Sequence, residues 1–364
     1  MIVGDFYEID FLDVETKKSG DAITVRYELG GVRSIHIVDT GYQATGPGIV
    51  NHVLKHYQTD VVDHLVITHC DGDHTGGAVH LLENLKVKRL WMLRPWAYAD
   101  ELINRFEVGT VDGLRRRLRQ IYWQLVEIET KANDLGVEIS DPFQGSAIGP
   151  FKVLAPSRAR FLDLIVDSEK TPESVQDAAA TSSDRAFWAI RELLKRAARI
   201  VNAAWNVELF SSQETSAENE MSVVQWASLC GDKVLLTGDA GRGGLTEAIN
   251  YAPYSGLVLP GFRRAQVPHH GSRRNLSTEI MDELFGPRLP SMVDKGQETW
   301  TAVCSSAKLD EAHPRLAVKR AFIHRGARFI ATESRSIRSY GGDAPKRNDW
   351  TPVEGDPYPD SHEE

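Results

Sequence analysis

The stretch Val66–Gly77 reads VITHCDGDHTGG. An apolar strand-like run, Asp63–Thr68 (DHLVIT), ends here in four residues able to hold a cation: His69, Asp71, Asp73 and His74. A strand anchors one side of such a loop, and side chains at i, i+2, i+4 and i+5 can then converge on one point. Neutral imidazole nitrogens and carboxylate oxygens at ~2.0–2.2 Å suit zinc, and the mixed set also suits manganese or iron. A polar turn explains one or two of these side chains but not all four, because neighbouring buried carboxylates repel unless a cation holds them. Cys70 lies between the candidate ligands and faces away by strand alternation.

Three other chemistries fail on the residues. Asp71-x-Asp73-x-Thr75-Gly76 mimics the start of a calcium loop, but the twelfth position is Leu82 instead of Glu, and a strand precedes it. Gly238–Gly243 is followed by Gly244 and Leu245, not by Lys and Ser/Thr, so it is no phosphate-binding loop. No G-x-S-x-G nucleophile elbow is present.

Outward from the stretch, strands and helices interleave. Ala22–Glu28, Ser34–Val38, Val87–Leu93, Phe151–Leu154, Met221–Leu229, Val234–Thr237, Leu257–Leu259, Gln266–Pro268, Thr301–Cys304 and Arg328–Thr332 read as strands. Pro47–Tyr57, Gly77–Leu85 and Leu316–Arg325 carry helical spacing. Two helical insertions fall at about 96–136 and 158–210. The class is α/β, with one domain over 1–340 and an acidic, flexible tail over 341–364.

Two later stretches resemble the first in character. KVLLTGDAGRGG (Lys233–Gly244) is a strand ending in Asp239, and QVPHHGSRR (Gln266–Arg274) is a short strand ending in His269 and His270. Alone, each reads as a turn. With the first cluster, each offers a further ligand at a strand end, which is how one sheet edge assembles a two-metal site.

In that order, H-x-D-x-D-H-x-G-G, L-L-T-G-D-A and V-P-H-H-G-S resemble the metallo-β-lactamase superfamily. They resemble most the branch typified by the soluble hydrolase domain of the DNA-uptake protein ComEC, where Asp replaces the second His of H-x-H-x-D-H. FLDVETKKSGDAITVRY, IHIVDTG, Asn219–Ser222 and the His-Pro at His313 are further echoes. The resemblance covers about Phe11–Leu90 and Asn219–Glu333. It implies an αβ/βα sandwich of two mixed sheets with outer helices. It also implies one or two Zn2+ ions, or Mn2+: His69 and Asp71 on the first, Asp73, His74 and either His269 or His270 on the second, and Asp239 bridging. No histidine lies between His80 and His269, so the usual third histidine of the first site is missing. The implied chemistry is hydrolysis by an activated water, with Asp73 orienting the water and His313 protonating the leaving group.

Arg263, Arg264, Arg273 and Arg274 flank the last motif and suit a phosphodiester, nucleotide or nucleic-acid substrate. Arg115, Arg116, Arg117 and Arg119 extend such a groove or form a solvated helix face. A nuclease or phosphodiesterase is the expectation. A hydrolase of a lactone, thioester or nucleotide, and a metal-binding effector or scaffold acting with a protein partner, are the alternatives.

Of the net charge of −9, −5 comes from residues 343–364, so the body is too nearly balanced to suggest or exclude a polyanion. No apolar run reaches the ~18 residues of a membrane span. The start, MIVGDFYEIDFLDVE, lacks the pattern of a signal peptide, so the expectation is a cytoplasmic protein without membrane contact. Cys70, Cys230 and Cys304 are too few and scattered for a disulfide framework.

Overall fold

A computed structural model describes residues 4–14, 16–171, 200–202 and 204–363. In strand β3 (Val32–Thr40), Ile35 and Ile37 join an apolar cluster with outer helices, whereas Val38 joins a cluster formed by two facing sheets. In β4 (Val61–Ile67), Leu65 and Ile67 turn outward and Val66 inward. In β11 (Asp232–Leu236), Leu235 packs outward and Val234 and Leu236 inward. Strands that are apolar on both faces must be covered on both. Helix, sheet, sheet and helix is the stacking that does so.

Among the described residues, each large sheet has seven strands. The first contains β1 (Phe6–Phe11), β2 (Ala22–Leu29), β3, β4, β5 (Lys86–Met92), β6 (Glu138–Ser140) and β15 (Ile337–Gly342), ordered β15-β1-β2-β3-β4-β5-β6. The second contains β7 (Ala147–Ile148), β8 (Phe151–Ala155), β10 (Val224–Leu229), β11, β12 (Arg264–Gln266), β13 (Trp300–Cys304) and β14 (Ala327–Ala331), ordered β14-β13-β12-β11-β10-β8-β7. Each is antiparallel in one half and parallel in the other: β3 to β6 run parallel, as do β11 to β14. This is the sandwich of two mixed sheets that the resemblance implied. Ile49, Leu81, Leu118, Ile128 and Ile165 seat helices on the first sheet, and Leu245, Met281 and Phe322 on the second. The parallel halves present the carboxyl ends of β3, β4, β11, β12 and β13 along one edge, where α/β sheets place their sites.

Three expectations are corrected. Leu257–Leu259 is a loop: Leu257 is buried, but its backbone N–H closes a turn onto Ala252 O and forms no ladder. Within the second insertion, Arg158–Asp167 is helical, but Ile200–Asn202 is strand β9; residues 172–199 lie outside the described set. The segment expected to be a loose tail is tied down. Arg347 reaches Asp10 (2.8 Å), Asp356 N–H bonds Phe329 O (2.8 Å), and Ser361–Glu363 (β16) pairs antiparallel with β9. Its tethers are ion pairs and backbone bonds, which leave no apolar periodicity to read.

Candidate metal centre

Strand β4 ends in His69 and Asp71, the single helical turn Gly72–Thr75 carries Asp73 and His74, and β11 ends in Asp239. After β12, His269 (φ 46°, ψ 54°) and His270 (φ 52°, ψ 21°) are both left-handed, a conformation uncommon outside glycine and concentrated at functional sites. Extended backbone would send consecutive side chains to opposite faces. Here the left-handed pair turns both imidazoles to Asp239: Nε2 of His269 lies 3.6 Å and Nε2 of His270 lies 3.8 Å from its Oδ2.

The hydrogen bonds behind the rings favour one nitrogen for the proton. His74 Nδ1 faces Asp39 Oδ2 (2.7 Å), and His270 Nδ1 faces the Ser305 carbonyl (2.9 Å), so both Nδ1 atoms donate. Asn275 spends its amide donors on the Asp239 and Ala240 carbonyls (2.8 and 3.2 Å), which turns its Oδ1 to His269 Nδ1 (3.0 Å), beside the Asn219 amide nitrogen at 3.1 Å. Thr68 Oγ1 donates to Asp39 and therefore accepts at 3.1 Å from His69 Nδ1, with Ser222 Oγ at 3.2 Å. Each Nε2 is left as a lone pair, the arrangement that supporting carbonyls and carboxylates impose on metal-binding histidines.

Those lone pairs meet carboxylate oxygens. On one side, His69 Nε2 is 3.8 Å from Asp71 Oδ2 and 4.0 Å from Asp239 Oδ2, with His269 beside it. On the other, His74 Nε2 is 3.3 Å from Asp239 Oδ1 and 4.0 Å from Asp73 Oδ2, and His270 Nε2 is 3.4 Å from Asp73 Oδ2. Two ligands ~2.1 Å from one tetrahedral cation stand roughly 3.4 Å apart, close to these separations. Nε2 of His69, His74 and His270 and Oδ1 of Asp239 are buried with no hydrogen-bond partner among the described residues. Buried polar atoms seldom stay unpaired, so the donor set fits a cation.

Asp21, His74, Asp239 and His270 also form a buried group whose ligand atoms lie within 4.8 Å of one another. Asp21 approaches from behind: its Oδ2 is 3.9 Å from Nδ1 of both His74 and His270. Those nitrogens already donate elsewhere, so Asp21 supports the rings and Asp73 faces the Nε2 side.

The charges agree. Burial opposes a proton on His74, yet the Asp239, Asp39 and Asp73 carboxylates push its pKa well above the usual imidazole value. His270 is likewise pushed up to about 9 against burial by Asp239, Asp73 and Asp21, whereas burial drags His269 down to about 4. Burial works to raise the Asp239 pKa, but His74, His269 and His270 hold it well below the carboxylate range. Positive charge is favoured at His74 and His270, and a divalent cation supplies it.

His313 stacks on His269 with centroids 5.6 Å apart and lies 6.2 Å from His270. Of the arginines expected to line the site, Arg263 and Arg264 are engaged elsewhere. Arg264 is in register with Val234, inside β11 and before the turn that carries Asp239, and its guanidinium donates to the Tyr340 carbonyl (3.3 Å). Arg263 donates to the Thr299 carbonyl near it. Arg273 donates to the Glu363 carbonyl (2.7 Å), and the Arg274 N–H bonds Ser272 Oγ (3.3 Å). On the insertion helix, Arg115 pairs with Asp112 and Asp100, and Arg119 with Glu129. Lys170 does reach the centre, its Nζ 2.8 Å from Asp71 Oδ1. Sequence reasoning missed it, along with Asp21, Asp39, Ser222 and Asn275. Asp21, Asp39 and Ser222 fall inside the FLDVETKKSGDAITVRY, IHIVDTG and Asn219–Ser222 stretches, whereas Lys170 and Asn275 are lone polar residues without a motif.

Residues 30–140, which include the His69–His74 loop, match the family model of the metallo-beta-lactamase superfamily. That match and the two-sheet sandwich make the chain similar to this superfamily. The sequence matches none of the curated proteins compared with it. Among solved structures it is similar to AidC, a dizinc quorum-quenching lactonase in complex with a product (11% identity, 60% of this chain and 56% of that one, TM-score 0.30). It is similar also to a beta-lactamase domain protein from Burkholderia ambifaria (16% identity, 64% and 52%, TM-score 0.28). A third is Zn2+-bound PqqB from Methylobacterium extorquens (9% identity, 92% and 99%, TM-score 0.42). The chain thus spans about half the length of the first two. No helix among the described residues is long and apolar enough to cross a membrane.

Proposed function

We propose that the protein is a metal-dependent hydrolase of phosphodiesters. The observation that carries the hydrolase reading is the convergence of four Nε2 lone pairs on Asp239 and its neighbouring carboxylates. His69, Asp71 and His269 would hold one cation, and Asp73, His74 and His270 the other, with Asp239 shared. His269 thereby supplies the third histidine that the sequence seemed to lack. Zinc or manganese suits this mixed donor set, and when bound lowers the pKa of a water toward neutrality and polarises the scissile oxygen. Asp73, partly open to solvent, orients the attacking water. His313 gives its proton to the leaving group.

Two features support the phosphodiester: the ComEC-like H-x-D-x-D-H loop, and Lys170, half-exposed at the rim where an anionic substrate needs a cation. The distance of Arg263 and Arg264 from the centre favours a second reading, hydrolysis of a small lactone, thioester or nucleotide. Purified protein should carry one or two zinc or manganese ions per chain by plasma mass spectrometry, and should cleave DNA or bis-p-nitrophenyl phosphate. The double substitution Asp73→Ala, His74→Ala should abolish both metal and cleavage. Turnover of a lactone with both phosphodiesters intact would move the reading to the second class. Failure on every substrate, with a co-purifying protein, would leave an effector subunit.

A further inference from the structure

The turn Ser19-Gly20-Asp21, remote in sequence from every candidate ligand, touches the half of the centre that holds Asp73, His74 and His270. Asp21 N–H bonds the Asp73 carbonyl at 3.1 Å, Asp21 Oδ2 accepts from Gln266 Nε2 at 3.0 Å, and a Cβ on Gly20 would stand 2.9 Å from Asp73 O. One residue earlier, Ser19 donates both its N–H (3.0 Å) and its hydroxyl (2.7 Å) to Asp310 Oδ2. Asp310 Oδ1 accepts from Ala312 N–H (3.0 Å), and Ser19 Oγ accepts from Ala307 N–H (3.1 Å). Asp310 Oδ2 then stands 3.4 Å from His313 Nδ1. A second tie joins the same loop to the histidine pair: Arg315 N–H bonds the Gly271 carbonyl at 3.0 Å, and a Cβ on Gly271 would meet Pro314 Cβ at 2.7 Å. His313 is therefore held against the centre from two sides. No other hydrogen bond occupies its Nε2 among the described residues.

We infer that Asp310, fixed by Ser19, is a positioning residue that aims His313 Nε2 at the leaving group, and that the natural substrate is one with a poor, alkoxide leaving group. This rests on the hydrolase reading above. A group that leaves as a stable aryloxide needs no proton, whereas an alkoxide does, and a placed donor matters only for the second. In the step, the water oxygen bonds to phosphorus and the bond to the leaving oxygen breaks, its electron pair staying on that oxygen. The proton of His313 passes to that oxygen to give an alcohol. The proton of the attacking water departs through Asp73 to solvent, and His313 is reprotonated from solvent.

The test compares a substrate that needs the proton, dithymidine monophosphate, with one that does not, bis-p-nitrophenyl phosphate, on the full chain loaded with zinc or manganese. For His313→Ala the loss of kcat should be about 10²–10⁴-fold on the dinucleotide. Asp310→Asn and Ser19→Ala should lose progressively less. For each variant the loss on the dinucleotide should exceed the loss on the aryl ester by about tenfold or more, with metal content per chain retained. Equal losses on the two substrates, or metal lost from Asp310→Asn, would overturn the inference. Ser19→Ala removes a single hydroxyl and keeps the test available if Asp310→Asn fails to fold. If wild-type protein cleaves neither phosphodiester, that reading falls, and the same variants are run on γ-butyrolactone against p-nitrophenyl acetate. Equal losses there, or no hydrolysis of any substrate, would overturn the dyad as well.

Discussion

Two regions of this molecule bury acids and histidines, and only one has the makings of a catalyst. Near the β1 edge, Glu8 and Asp10 are fully buried beside Arg26, Arg338, Arg347, His52 and Tyr57. Two carboxylates there meet three guanidiniums, and although burial works to raise the Asp10 pKa, its bonds to His52 and Arg347 keep it low. At the strand ends, Asp71, Asp73 and Asp239 face imidazoles, without a guanidinium on Asp239. Fixed cations complete the first cluster, whereas in the second only Asp71 meets one, Lys170, and Asp73 and Asp239 are completed by a charge that comes from outside. The difference lies in what neutralises the acids, not in how many there are.

The largest effect should come from removing the acid that both halves of the centre share. Asp239→Asn should drop metal content and hydrolysis to the level of a buffer control, while the midpoint of urea unfolding without added metal shifts little. A variant that keeps its metal would break the contrast, because Asp239 would then be a structural acid like Asp10. The opposite result is expected from Arg347→Ala. It leaves Asp10 in the interior with His52 and Tyr57 but no guanidinium, and breaking a buried pair costs about 3–5 kcal/mol, readable by chemical denaturation, with metal content at the wild-type level. A smaller effect should follow from Asp39→Asn, which disturbs the acceptor of the His74 Nδ1 proton. Loss of such a support weakens metal affinity about 10–100-fold, measurable by competition with a chromogenic chelator. If affinity holds, the imidazole is oriented by packing alone.

The ligands were legible because they crowd into short motifs at the ends of apolar strands, where sequence spacing and spatial spacing nearly coincide. That coincidence ends one strand away. Arg264 sits as near His269 in sequence as Arg274 does, and Arg263 one position further, but β12 carries both towards the far end of the strand. The pair His269-His270 could be read only as offering one ligand or the other, since alternation lets one side chain in two face a site. The left-handed backbone that admits both has no signature in two histidines. Lone supports such as Asp21 and Asp310 become visible only when Ser19 and Gln266, hundreds of positions off, fold onto them. The strap over 343–363 was misread for a related reason: its anchors are single residues, and single anchors have no period.

The smallest predicted effect concerns a histidine that belongs to neither cluster. His36 lies on β3, fully buried against Phe151 with ring centroids 4.7 Å apart, and both its nitrogens lack a partner among the described residues. Burial, helped by the neighbouring His64, holds its pKa well below the usual imidazole value. In the unfolded chain that value returns to about 6.5. Below this pH the unfolded state binds the extra proton, so stability falls as the solution is acidified, by at most about 1.4 kcal/mol per pH unit until the folded-state value is reached. Above it, His36 is neutral in both states and contributes no slope. His36→Leu removes two unpartnered polar atoms at similar volume and should match or exceed wild-type stability at pH 8 by about 1 kcal/mol. Its Tm should then fall less steeply than that of wild type between pH 7 and 5. Parallel acid limbs in the two proteins would mean that His36 finds a proton acceptor on folding, and it would then belong with the compensated cluster near Asp10.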